Sequence, residues 1–221
     1  AFANIVEIMI TTVIFDLDWT LLDTLQDLVD SVNFSLCAHN FPKRSLSEIR
    51  MFLGNGYKYL ISHAAPENTS ECKIAEVLDT FKSYYQKHCL DTTEPYAGIQ
   101  EMLQNLKEKG IKMAIVSNKG NDAVKELAHR FFEDCIPIAV GESAKVRRKP
   151  NPDTVWAAMQ QLGSGKNESV YVGDSEVDFE TAKNAGIPCI SCSWGFRDET
   201  FLQEIGVTTI IHHPAELLTS L

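Results

Sequence analysis

Two aspartates one residue apart, Asp16 and Asp18, directly follow the apolar, β-branched run Thr12-Val13-Ile14-Phe15. Such a run reads as a buried strand, and open α/β sheets bind ligands outside the carboxyl ends of their strands. Side chains alternate along a strand, so both carboxylates are expected on one side, with Leu17 turned into the packing. Two like charges that close need a cation or a proton. A divalent metal would neutralise them and leave one carboxylate to attack an electrophile while the other handles the leaving group's proton. For this pair alone, a solvated Asp-x-Asp at a strand end is the alternative.

Similar groups follow the other strand-like runs. Segment 111–116 delivers Ser117-Asn118-Lys119, whose hydroxyl, amide and ammonium can donate to the non-bridging oxygens of a phosphate, or simply cap a helix. Segment 136–140 is followed by Arg147-Arg148-Lys149-Pro150, where the proline favours an extended Lys149 whose ammonium could be aimed inward. A solvated basic loop is the plainer reading of that cluster. Segment 169–172 leads into Gly173-Asp174-Ser175-Glu176-Val177-Asp178, with Asp178 one helical turn after Asp174. An oxygen-rich cluster with incomplete protein coordination suits Mg²⁺, which keeps waters and accepts phosphate oxygens. Each signal is weak, but their recurrence at successive strand ends favours a gathered site.

The elements that must position these residues are legible as alternating periods. Helix-like stretches 99–109, 122–132, 152–162 and 177–185 separate strand-like stretches 111–116, 136–140, 169–172 and 187–191, with a last strand near 208–211 and a helix at 214–218. Strands alternating with helices imply a parallel sheet covered on both faces. Between the first strand and segment 111–116 lie far more residues than the dozen or so a crossover needs. Leu25, Leu28, Val29, Val32 and Leu36, and then Ile74, Val77, Leu78, Phe81, Tyr84 and Tyr85, follow helix-face spacing within that interval. The expected fold class is therefore α/β: a three-layer, Rossmann-like parallel-sheet core over 9–21 and 93–221, with an α-helical cap domain inserted over 22–92. Turn-rich Asp23-Thr24 and Asp91-Thr92-Thr93-Glu94-Pro95 are the expected hinges.

Composition narrows the function classes. The 221 residues are 44% hydrophobic, enough for a sizeable core, and the formal net charge is −10. An acidic chain argues against nucleic acid or an anionic membrane as the main partner. No apolar run approaches about 18 residues and no secretory signal pattern leads the chain, so a cytoplasmic location is expected. Met9 is read as the natural start, with the preceding eight residues non-native. Cys37, Cys72, Cys89, Cys135, Cys189 and Cys192 lack metal-like double pairing and are expected to be reduced, and Cys189-x-x-Cys192 is read as packing rather than redox chemistry.

With those motifs in place, the chain resembles the haloacid dehalogenase superfamily, specifically its phosphatases with a helical cap, over residues 11–221. The motifs stand in order as Asp16-Leu17-Asp18-Trp19-Thr20, Ser117-Asn118, Lys149-Pro150 and Gly173-Asp174-Ser175-Glu176-Val177-Asp178. The resemblance implies that Asp16 is the nucleophile, becoming an aspartyl-phosphate, and that Asp18 protonates the leaving oxygen and then activates water. It implies that Ser117 holds the phosphoryl group and that Asn118 contacts the phosphoryl group or the substrate, with Thr20 orienting the phosphate-binding loop, and that Lys149 balances charge. Mg²⁺ would be held by Asp16, the Asp18 carbonyl and Asp174, with Asp178 a direct or indirect partner.

Within the superfamily the chain looks like the phosphoglycolate phosphatases, from Leu21-Leu22-Asp23-Thr24, cap residues Gly54-Asn55-Gly56 and the late Trp194-Gly195-Phe196. Lys58 could pair with a substrate carboxylate, as phosphoglycolate would require. One departure stands out: Trp19 occupies a position usually held by glycine, where it could narrow the pocket, stack on substrate or line the cap interface. The resemblance also implies that Asp18 argues against dehalogenation and Gly173 against sugar-phosphate mutation. The expectation is a Mg²⁺-dependent phosphomonoesterase acting on a small phosphorylated metabolite, phosphoglycolate foremost, as a monomer or homodimer whose cap opens and closes. A sugar-phosphate mutase and a non-catalytic binding or regulatory protein of the same fold are the rivals.

Overall fold

A computed structural model of the chain describes residues 9–53 and 56–221. The elements in chain order are β1 Thr12–Phe15, β2 Leu22–Asp23, α1 Leu25–Ala38, α2 Leu46–Met51, α3 Tyr57–Ala64, α4 Glu71–His88, β3 Glu94–Pro95, α5 Ile99–Glu108 and β4 Lys112–Gly120. They continue as α6 Asn121–Phe132, β5 Ile138–Glu142, α7 Asp153–Leu162, β6 Ser169–Gly173, α8 Glu176–Ala185, β7 Cys189–Cys192, α9 Glu199–Glu204, β8 Ile210–Ile211 and α10 Leu217–Ser220. One compact unit holds the residues up to Leu22 together with Pro95–Leu221, and a second holds Asp23–Glu94.

The first unit is a six-stranded parallel sheet in the order β5-β4-β1-β6-β7-β8 with helices on its faces. Val13, Ile14 and Phe15 are wholly buried, as a central parallel strand covered on both sides requires. Its helices lay apolar stripes on the sheet: in α5, Ile99, Met102, Leu103 and Leu106 are the buried positions. Each such side chain contributes about 1.5–3 kcal/mol on burial, far more than helix propensity alone.

Two expected strands begin later than the apolar pattern suggests. β5 starts at Ile138 rather than 136, and β7 at Cys189 rather than 187. In each case a proline, Pro137 or Pro188, stands just before the strand and has no N–H for the ladder. Pro188 still accepts from the Tyr171 N–H through its carbonyl at 2.9 Å. β4 runs on to Gly120, because its pairing with β5 is interrupted after Val116 and resumes at Gly120 opposite Glu142.

The second unit is helical. Leu28, Val29, Val32 and Leu36 of α1 and Ile74, Val77 and Phe81 of α4 are buried in it. The buried carboxylate of Asp27 ties the first turn of α1 to the returning chain. Its Oδ1 accepts from the Thr92 N–H at 2.9 Å and its Oδ2 from the Thr93 N–H at 2.9 Å, and both threonine hydroxyls also donate to it. Helices α2 and α3 had no place in the periodicity, although Ser45-Leu46-Ser47-Glu48 carries a capping box that the structure forms in full.

Candidate active site

β1 lies between β4 and β6, and Phe15 stands opposite both Ile115 and Val172. Neighbouring strands are about 4.8 Å apart, so Asp16, the Ser117 segment and Asp174 emerge side by side at one sheet edge. The Asp16 N–H donates to the Val172 carbonyl at 2.9 Å, which fixes the backbone of the first aspartate against β6.

Lys149 arrives from the loop before α7 and is 5% exposed. Its ammonium donates to Asp16 Oδ1 at 2.6 Å, to Asp178 Oδ1 at 2.6 Å and to the Tyr171 hydroxyl at 3.1 Å, which uses all three of its N–H donors. The Asn118 side chain holds the lysine's backbone: its Oδ1 accepts from the Lys149 N–H at 2.6 Å and its Nδ2 donates to the Lys149 carbonyl at 3.2 Å. Asn118 was expected to contact a phosphoryl group or substrate; its side-chain amide here pairs with the Lys149 backbone. The Lys149–Pro150 peptide is cis. Ser117 is buried, and its Oγ accepts from the Lys119 N–H at 3.1 Å.

Asp178 accepts from five donors. The Tyr171 hydroxyl at 2.8 Å joins Lys149 on Oδ1, while Oδ2 takes the Ser175 hydroxyl at 2.7 Å and the Asp174 and Ser175 N–H groups at 3.2 Å each. A carboxylate offers about four lone-pair sites, so this one is saturated. Asp174 accepts from the Thr20 hydroxyl at 3.1 Å and from the Phe196 N–H at 2.6 Å. Thr20, expected to orient the phosphate-binding loop, thus ties that loop to Asp174. Asp18 is paired with the Lys119 ammonium at 3.1 Å.

Burial and its like-charged neighbour Asp178 push Asp16 up to about 7. The same two causes push Asp174 well above the usual carboxylate range. Burial opposes ionisation of Asp178 as well, yet the charge and hydrogen bonds of Lys149 hold it below its ordinary value. Lys149 moves upward against its burial, because two carboxylates face it, so it stays protonated. Three buried carboxylates thus gather at this edge, and two of them, Asp16 and Asp178, share one lysine.

One ligand oxygen from each of Asp16, Asp174 and Asp178 falls within a 4.8 Å span. The donors are hard oxygens with surplus negative charge, so the set fits a divalent cation of the Mg²⁺ kind. Gly173 is required by Asp178, because a Cβ there would overlap the Asp178 side chain. An acidic residue at 173 is therefore incompatible with this arrangement.

Trp19 adopts φ 62°, the left-handed conformation that favours glycine. Its N–H donates to the Leu22 carbonyl at 2.7 Å and its ring lies 5.4 Å from that of Phe196. The indole N–H is buried without a partner. Gly56 has φ 85° and precedes α3, whereas Gly54 and Asn55 lie outside the described residues. Lys58, expected to face a substrate carboxylate, is exposed and ion-paired with Glu71 at 3.1 Å. Arg147 is likewise engaged by Asp153 at 2.9 Å.

Sequence reasoning missed Tyr171, Lys119 as the partner of Asp18, and the link between Arg197 and Glu176. Tyr171 did carry a signal, since it stands two residues before Gly173 on the same face of a strand otherwise apolar at that depth.

Residues 13–192 match the model of the haloacid dehalogenase-like hydrolase family. A phosphoglycolate phosphatase of Pseudomonas syringae pv. tomato is 32% identical over 84% of this chain and 70% of its own length. One from Mesorhizobium japonicum is 31% identical over 91% of this chain and 90% of its own. A solved structure from Lactobacillus delbrueckii subsp. bulgaricus, 33% identical, covers 96% of this chain and 98% of its own with a TM-score of 0.89. Among the described residues, no helix is long and apolar enough to cross a membrane.

Proposed function

We infer, from the premise that the chain belongs to the haloacid dehalogenase-like hydrolase family and is a phosphatase, that it hydrolyses a small phosphorylated metabolite through an aspartyl-phosphate on Asp16. The observation that carries this reading is the Lys149 ammonium held at 2.6 Å from both Asp16 and Asp178 at the edge where β1 and β6 end.

Asp16 attacks phosphorus, and the bond to the substrate's ester oxygen breaks as Asp18 gives that oxygen its proton. Asp18 then takes a proton from water. The water oxygen bonds to phosphorus, the bond to Asp16 breaks, and inorganic phosphate leaves. Ser117 is assigned to the phosphoryl oxygens. Lys149 carries a fixed positive charge beside the nucleophile, with Asn118, Tyr171 and Asp178 holding it in place. Asp16, Asp174 and the Asp18 carbonyl are assigned to a Mg²⁺ ion, and Asp178, saturated by its five donors, acts through Lys149 and the 174–175 backbone. Bound there, Mg²⁺ would supply positive charge against the repulsion between nucleophile and phosphoryl oxygens. The helical unit Asp23–Glu94 is assigned as the inserted cap domain by family resemblance.

Phosphoglycolate is the leading substrate, on the names of the relatives at 31–32% identity. The test is free phosphate released from phosphoglycolate, pyrophosphate, sugar phosphates and an aryl phosphate, with Mg²⁺ or chelator. Mg²⁺-dependent release led by phosphoglycolate supports the whole reading. Release led by another compound discards that substrate and keeps the chemistry. Isomerised sugar phosphate without free phosphate would overturn hydrolysis in favour of a mutase, and no reaction at all would favour a binding role. Asp16→Asn should lower turnover roughly a thousandfold or more with the fold retained, since the phosphoryl group loses its acceptor.

A further inference from the structure

We propose that Arg197 is a positioning residue for the metal-binding carboxylate of Asp174, acting through the loop that carries Phe196. This rests on the assignment of Asp174 as a metal ligand.

The chain after β7 runs through Ser193-Trp194-Gly195-Phe196-Arg197 and passes flush against Asp174. A Cβ at Gly195 would overlap the Asp174 Cβ and the Trp19 carbonyl, so only glycine permits that approach. The next residue delivers its N–H to Asp174 Oδ2 at 2.6 Å, and the Arg197 N–H lies 3.4 Å from the Asp174 carbonyl. The orientation of Asp174 is thus set partly by a loop outside the four motifs.

Arg197 fixes that loop at its far end. Its guanidinium makes a two-point pair with Glu176, Nε to Oε2 at 2.7 Å and Nη2 to Oε1 at 2.5 Å. Glu176 opens α8, two residues after Asp174 and two before Asp178. The guanidinium carbon also lies 4.2 Å from the Phe196 ring centre and 4.5 Å from that of Phe201. Phe201 is held in turn by Asp198, which accepts its N–H at 2.9 Å and caps α9. A planar, bidentate cation against two rings is a geometry that arginine supports and lysine does not. It couples the start of α8 to the Phe196 backbone, and Asp174 sits between them.

The experiment measures Mg²⁺ binding by calorimetry on metal-stripped full chain for the parent, Arg197→Gln, Arg197→Lys, Glu176→Gln and Asp174→Asn. Removing either end of the clasp should weaken Mg²⁺ binding about tenfold, with Arg197→Lys between parent and Arg197→Gln. Saturating Mg²⁺ should restore most of kcat in Arg197→Gln while KM for substrate changes little. A parent that binds no Mg²⁺, or Asp174→Asn binding like the parent, overturns the metal assignment itself. Parent binding lost in Asp174→Asn but unchanged in folded Arg197→Gln and Glu176→Gln overturns the role of Arg197 alone. Should Arg197→Gln fail to fold, Glu176→Gln, which keeps the arginine and both rings, decides the matter.

Discussion

The Asn118 amide spans the backbone of Lys149, accepting from its N–H at 2.6 Å and donating to its carbonyl at 3.2 Å. The lysine is therefore aimed from both sides of its Cα before its ammonium meets any carboxylate. Asn118→Ala removes two partly buried hydrogen bonds, each worth about 0.5–1.5 kcal/mol, so stability should fall by roughly 1–3 kcal/mol in denaturant titrations. The larger effect should be on turnover, because a lysine displaced even slightly no longer faces Asp16. A drop in kcat well beyond the change in KM is expected; a parental kcat would count against this positioning role.

Metal removal and pH should act together. Buried Asp16 is raised from the usual 3.8 to about 7 and buried Asp174 moves the same way, with Asp178, Asp18, Lys149 and Tyr171 the charged and titratable groups around them. A carboxyl whose folded value is raised binds its proton more tightly in the folded state. Its contribution to stability is therefore present below about 4 and lost as pH rises through about 7. Asp178, lowered, contributes in the opposite sense at the acid end. Metal-free protein should lose melting temperature as pH rises from about 4 through about 7. Added Mg²⁺ should restore it more at the upper end. At about a hundred times Kd the gain is roughly 2.7 kcal/mol, or about 5–10 °C for a chain of this size. An Mg²⁺-induced shift equal at pH 5 and 8 would refute the coupling.

The cysteines should divide by burial. Cys37 and Cys72 are exposed, whereas Cys192 is buried and burial pushes its thiol well above the ordinary range. The Cys189 thiol is pushed up to about 12 by burial and by Asp178. Native protein should be alkylated rapidly at Cys37 and Cys72 and not at Cys189 or Cys192, as mass spectrometry of digested, labelled protein would read out. Labelling of Cys189 at the rate of Cys37 would revive a redox reading of the Cys189-x-x-Cys192 pair.

How much of this was legible depended on whether a property is local. Asp16, Asp18 and Asp174 could be placed because a strand's apolar run locates its own end, and adjacent parallel strands then do the gathering. Whether a side chain at that edge meets substrate or a neighbour is a tertiary property. Asn118 looked like a phosphate or substrate donor until Lys149 came within its reach, and Thr20 was read as orienting its loop without a sign that Asp174 would be its partner. Lys58 was read from charge alone, and Glu71, thirteen residues further on, could not be seen as its partner. The short helix α9 was overlooked although Asp198 caps it, because six residues give too few turns for a period to show.

Trp19 sets two effects against each other. At φ 62° any residue with a Cβ carries about 1–2 kcal/mol of backbone cost that glycine avoids. The indole offsets it by packing at 5.4 Å on Phe196, a contact of about 0.5–1.5 kcal/mol beyond the area it buries. Trp19→Gly should therefore change stability by no more than about 1 kcal/mol, since relief of strain and loss of the ring nearly cancel. Trp19→Ala keeps the strain and loses the ring, so it should be the less stable of the two by about 1 kcal/mol. The reverse order in parallel denaturant titrations would mean that the left-handed backbone is not what limits this loop. Because Trp19 lies between Asp18 and Thr20 and supports Phe196, its removal should reorder preference among phosphate esters more than it changes the best maximal rate. Kinetics on the same substrate panel would show this, and an unchanged ranking would leave Trp19 with a packing role alone.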